Sequence, residues 1–141
     1  MNRHDKNTGG SSRSALITGI AVVYVLALSA FVIAADLGLM RPVMLWVGKI
    51  PWGDKLAHFL LVGTLSLLVN LASGAATLSL GRVRVLIGSL ALVVLATLEE
   101  STQLAVRFRT FSFSDLAANY LGIIVFGQVA ARLVRGRNRA D

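Results

Sequence analysis

Apolar residues fall into four long runs separated by short polar or turn-forming pieces. The first, Ala15 to Ala35, carries no charge. As a helix it is roughly 31 Å long at about 1.5 Å per residue, enough to cross a hydrocarbon core of about 30 Å. The second extends from about Leu56 to Ser73. The third starts near Val85, and its uninterrupted apolar part stops at Leu98, too short to cross by itself. Continuing that helix through Glu99, Glu100, Ser101, Thr102 and Gln103 to about Val106 supplies the missing length, so polar groups are expected inside one edge of the membrane. The fourth run is Asp115 to about Val134. The pattern predicts an all-α integral membrane bundle of four transmembrane helices over residues 15–134. A disordered polar tail (1–14) precedes it and a basic tail (135–141) follows.

The connections have their own signals. Residues 36–54 hold both prolines and both tryptophans; Trp46 and Trp52 suit the headgroup zone, and Pro42–Val47 reads as a short surface helix. A Gly/Ala/Ser/Thr-rich turn with Arg82 and Arg84 joins spans two and three. In FRTFSFSD, Ser114 is the expected N-cap, with Asp115 in the first turn where the positive helix end favours a carboxylate. Phe108, Phe111 and Phe113 are expected to anchor that loop at the interface. A cleavable signal peptide ending at Ala34–Ala35 is the competing reading of the first run, but signal cores are only about 7–15 residues long.

Composition agrees. The chain has 141 residues, 55% of them hydrophobic, and a soluble domain of this size cannot hide so much apolar surface. The lack of cysteine excludes disulfides and thiol catalysis. The net charge of +7 raises nucleic acid as a partner, but the basic residues flank apolar runs instead of forming a stripe, which argues against it. With four crossings, nine basic residues (Arg3, Lys6, Arg13, Arg82, Arg84, Arg132, Arg135, Arg137, Arg139) share one side with the termini. Five (Arg41, Lys49, Lys55, Arg107, Arg109) lie on the other. Positive residues stay in the cytoplasm, so both termini are expected to be cytoplasmic.

Three polar pairs then fall at the opposite, outer level, each at a spacing that shares a helix face: Asp54 with His58, Glu100 with Gln103, and Asp115 with Asn119. Ionisable groups at membrane depth turn inward and pair. Arg109, between spans three and four, is the expected counter-ion, its planar fork suited to two carboxylates. The expectation is a polar cup open to the outside. His58 has the chemistry of a general base oriented by Asp54, or of a metal ligand with Glu100 and Asp115, and equally of an ordinary interhelical hydrogen-bonding group. No H-E-x-x-H or G-x-S-x-G motif occurs, and no metal or other cofactor is expected. Asn70 reads as a helix–helix hydrogen bond, and Gly63, Gly88, Gly122 and Gly127 as points of close helix approach.

The order D-K-x-x-H-F (Asp54, Lys55, His58, Phe59), E-x-x-Q (Glu100, Gln103) and R-T-F-S-F-S-D-L-x-x-N-x-x-G (Arg109, Ser112, Asp115, Asn119, Gly122) resembles the VanZ-like family of small membrane proteins over about residues 50–130. The family is named after a protein linked to low-level teicoplanin resistance. The resemblance implies a place in the bacterial cytoplasmic membrane and a connection with the cell envelope. The expected function is binding of a membrane lipid or lipid-linked cell-wall precursor headgroup by Asp54, Lys55, His58, Glu100, Gln103, Arg109, Asp115 and Asn119. The alternative is a membrane-embedded hydrolase or transferase on such a headgroup, with His58 or Glu100 as the base. A transporter is disfavoured, since no span has the Gly/Pro interruption of a substrate site.

Overall fold

The structure, a computed structural model, describes residues 6–107 and 110–140, with side chains from 12 to 107 and from 110 to 139. Its order is α1 (Lys6–Asp36), α2 (Arg41–Val47), α3 (Gly53–Ala72), β1 (Thr77–Leu80), β2 (Val83–Leu86), α4 (Ile87–Thr102) and α5 (Phe113–Ala140). The described residues are mostly helical (78%), and α1, α3, α4 and α5 are long and apolar enough to cross a membrane. A turn of 3-10 helix, Gln103–Ala105, prolongs α4, which thereby gains the length its apolar section lacks.

Three boundaries differ from the expectation. α1 starts at Lys6, so the polar stretch before Ala15 is helical where it is described, and α5 carries helix through the basic tail to Ala140. The connection before α4 is an antiparallel hairpin, pairing Thr77 with Leu86 and Leu80 with Val83. Its physical reason is visible in T-L-S-L-G-R-V-R-V-L. Residues alternate, three of the flanking positions are β-branched, and Gly81 takes the positive φ (62°) that opens a two-residue turn.

α1 ends in a Schellman motif. Leu39 N–H reaches the Ala34 carbonyl and Gly38 N–H the Ala35 carbonyl, both at 2.9 Å, with Gly38 left-handed at φ 77°. The short α2 that follows is the expected surface helix, and Trp46 and Trp52 are well exposed. α3 is the central helix. It packs most closely on α5, where an edge-on Phe59–Phe126 pair (5.5 Å between centroids) lies beside two glycines. Any Cβ at Gly63 would come within 2.7 Å of the Phe126 ring, and one at Gly122 would collide with the Phe59 carbonyl oxygen. α4 closes the other side through Leu92 and Ala96 against Ile123, and through a 2.7 Å hydrogen bond between Thr97 and Tyr120. α1 rests on α3, its Tyr24 hydroxyl donating to the Leu61 carbonyl at 2.9 Å. Large apolar side chains such as Val23, Leu26 and Leu133 point outward, a surface matched to hydrocarbon and costly in water.

Candidate functional site

The start of α3, the end of α4 and the start of α5 meet at one end of the bundle. Lys55 is the bridge: its Nζ donates to Asp54 beside it and to Asp115 Oδ1 across the interface at 2.9 Å. One turn deeper, His58 Nδ1 lies 3.2 Å from Asn119 Oδ1, and its Nε2 lies 3.8 Å from Asp115 Oδ2. Only the Nδ1 contact is within hydrogen-bond range; the Nε2 separation from Asp115 is longer than a hydrogen bond. His58 is therefore positioned by Asp115 and Asn119 of α5, not by Asp54, whose carboxylate holds Lys55. The i,i+4 spacing puts Asp54 and His58 on one face of α3, but Lys55 has the shorter reach to the first aspartate.

Glu100 is fully buried. Its Oε1 accepts the Ser112 backbone N–H at 2.8 Å and its Oε2 accepts Gln103 Nε2 at 3.1 Å. Gln103 also donates to both oxygens of Glu99, at 3.2 and 3.3 Å. The carboxylate thus ties the end of α4 to the backbone that starts α5, where unpaired N–H groups and the helix dipole favour negative charge. That burial closes Glu100 off from solvent, whereas the His58 side chain stays partly exposed. Ser112, not Ser114, is the N-cap: Ser114 lies within α5, and Ser112 Oγ accepts the Asp115 N–H at 3.3 Å. Capping needs the residue just outside the first helical turn, and α5 begins at Phe113, two residues earlier than a cap at Ser114 requires. Phe111 and Phe113 meet edge to face at 4.7 Å. Phe108 and Arg109 lie outside the described residues, so the expected counter-ion has no assigned place. Among the described residues no group of three or more His, Cys, Asp or Glu is arranged to hold a metal ion.

A second polar knot sits deeper in the bundle. Asn70 Nδ2 donates to the Ser66 carbonyl (2.8 Å) and to the hydroxyls of Ser89 (3.0 Å) and Ser66 (3.2 Å). Ser66 in turn donates to the Ile123 carbonyl at 2.9 Å. The knot joins α3, α4 and α5, as the reading of Asn70 expected. Gly88 and Gly127 make room for it, since a Cβ on either would press on Asn70 or on Ser89 and Ser66. Ser66 and Ser89 were not singled out from the sequence. The available signal was the i,i+4 spacing of Ser66 and Asn70 inside an apolar run.

The polar cluster also opens into a cavity of about 670 Å³ between α1 and α4, with α3 as its floor and α2 across one end. Asp54, His58, Glu99 and Asn119 line that end; the remaining walls are almost wholly apolar. Sequence periodicity could not reveal this space, because it arises where α1 and α4 fail to close over α3. Comparison with protein-family models, with curated proteins and with solved structures finds no match.

Proposed function

We propose that this chain is an integral protein of the bacterial cytoplasmic membrane, with both termini in the cytoplasm. Its cluster of Asp54, Lys55, His58, Asp115 and Asn119 would then bind the polar headgroup of a cell-envelope lipid at the outer face. The observation that carries this reading is the cavity that Asp54, His58 and Asn119 of this cluster line with Glu99: hydrogen-bonding groups at one end and apolar walls along the rest match an amphiphile. The distribution of basic residues supports the orientation. The VanZ-like resemblance supports the envelope connection, and any tolerance of teicoplanin would be an indirect consequence of lipid binding.

Lys55 is already held by two aspartates. A headgroup entering here meets carboxylates, an imidazole and an amide, which favours hydroxyl or amine donors; a phosphate would have to take Lys55 from Asp115 or use Arg109. Native mass spectrometry of the gently purified protein tests the reading. Retained lipid that is lost in both His58→Ala and Asn119→Ala supports it, and a lipid-free wild type would end it. Orientation is tested separately. Cysteines at positions 48 and 110 should react with an impermeant reagent from outside, and labelling at position 82 instead reverses it.

The enzymatic alternative draws on one feature, the His58 imidazole facing the Asp115 carboxylate, the arrangement of an oriented general base. Turnover of a lipid-linked substrate that disappears in Asp115→Asn while lipid is still retained would favour it over simple binding.

A further inference from the structure

We infer that the space between α1 and α4 takes a single hydrocarbon chain longer than one leaflet, which assigns the ligand to the polyisoprenoid lipids. This deepens the headgroup reading and rests on it.

The argument is one of length and continuity. On α3, the residues lining the cavity recur every fourth position, Ala57, Leu61, Leu65 and Val69, so they form one stripe down a single face. α4 contributes Ala91 and Leu95 opposite, and α1 contributes Leu28 and Val32. A second recess of about 330 Å³ continues the first, because Val25 and Val69 line both, and it runs past Thr18 and Ala21 to Ser73. The combined seam follows α3 from Asp54 to Ser73. At about 1.5 Å per residue that is roughly 28 Å.

Half of a hydrocarbon core of about 30 Å is about 15 Å. Ordinary glycerolipids have chains matched to one leaflet, so one anchored at the polar end would fill only the near half of the seam. A chain that continues past the midplane is the property of long isoprenoids. The lining includes small residues, Ser29, Ala35, Ala57 and Ala96, among the large ones, room that a methyl-branched chain can use. A neighbouring helix fits less well, since its backbone diameter with side chains is about 10 Å or more and its end would meet the polar cluster.

The test uses the full-length protein in lipid nanodiscs and native mass spectrometry, with farnesol, geranylgeraniol and undecaprenol, each also as its monophosphate. At equal headgroup, the two longer chains should be retained about tenfold better than farnesyl. Ala91→Trp, which narrows the seam away from the polar residues, should erase that preference, and Ser29→Phe on the α1 wall should do the same. Leu90→Trp, outside the seam, should preserve it. Equal retention of all three chain lengths, or a preference untouched by both seam variants, overturns the inference. If chain length is irrelevant yet retention still requires His58, the headgroup reading survives and only the chain assignment falls. Loss of every probe in wild type removes both, and a disulfide-linked dimer through cysteine at position 91 would replace the lipid with a second copy.

Discussion

The closest approach between α3 and α5 offers a quantitative test of what positions the polar cluster. In Gly122→Ala the added methyl would meet the Phe59 carbonyl oxygen and, at 3.2 Å, both the Phe59 carbonyl carbon and the Gly63 nitrogen. These are backbone atoms, so no rotamer change relieves the clash and the two helices must separate. Overpacking of this kind costs about 1–3 kcal/mol, and a backbone obstacle places it near the upper end. Replacing glycine within a helix returns about 0.8–1.0 kcal/mol of propensity. The net expectation is a loss of about 2 kcal/mol. Gly136→Ala, in the same helix with nothing within 4 Å of the new Cβ, isolates the propensity gain and should stabilise. Equilibrium unfolding in mixed micelles, followed by circular dichroism as SDS is increased, compares the two. Asn119 precedes Gly122 by one turn and His58 directly precedes Phe59, so separation should also stretch the 3.2 Å His58–Asn119 contact and weaken lipid retention. A Gly122→Ala protein as stable as wild type, or shifted in the same direction as Gly136→Ala, would refute the reasoning.

Two further outcomes follow from the same geometry. Ser112→Ala should lower stability by about 1 kcal/mol through loss of the α5 cap, whereas Ser114→Ala should change it by less than half as much; the unfolding titration that ranks them the other way returns the cap to Ser114. Asn70→Ala removes an amide whose two N–H hydrogens are shared among three acceptors, equivalent to two donated bonds of about 0.6 kcal/mol each in a membrane, but also an Oδ1 atom that has no partner in the buried knot. The expected net loss is therefore about 1 kcal/mol or less, and a more stable Asn70→Ala would show that the unpaired oxygen outweighs the bonds.

How much was legible in the linear chain depends on the range of the interaction. The four long helices follow from runs of apolar residues, and even the awkward third span was readable, because a helix too short for the bilayer has to continue through Glu99 to Gln103. The close-packing glycines were also readable, and so was the shared face of each pair Asp54–His58, Glu100–Gln103 and Asp115–Asn119, since i,i+3 and i,i+4 spacing puts side chains together before any tertiary contact exists. The hairpin was encoded as well, in a period-two alternation around Gly81 that a short apolar segment next to a span conceals.

Partnerships were another matter. Nothing local chooses Asp115 over Asp54 as the neighbour of His58, or brings the buried Glu100 carboxylate to the Ser112 N–H. Those are decided by how far α3, α4 and α5 slide along one another; the Gly122–Phe59 and Gly63–Phe126 contacts fix α3 against α5. The seam between α1 and α4 belongs wholly to tertiary structure: it is a gap between elements, and a gap has no residues of its own to leave a pattern. The sequence by itself determined which segments are helical and apolar enough to cross a membrane and which polar groups they carry, because backbone periodicity and hydrophobicity act within one element. Only packing decided which of those groups touch and what space remains beside them.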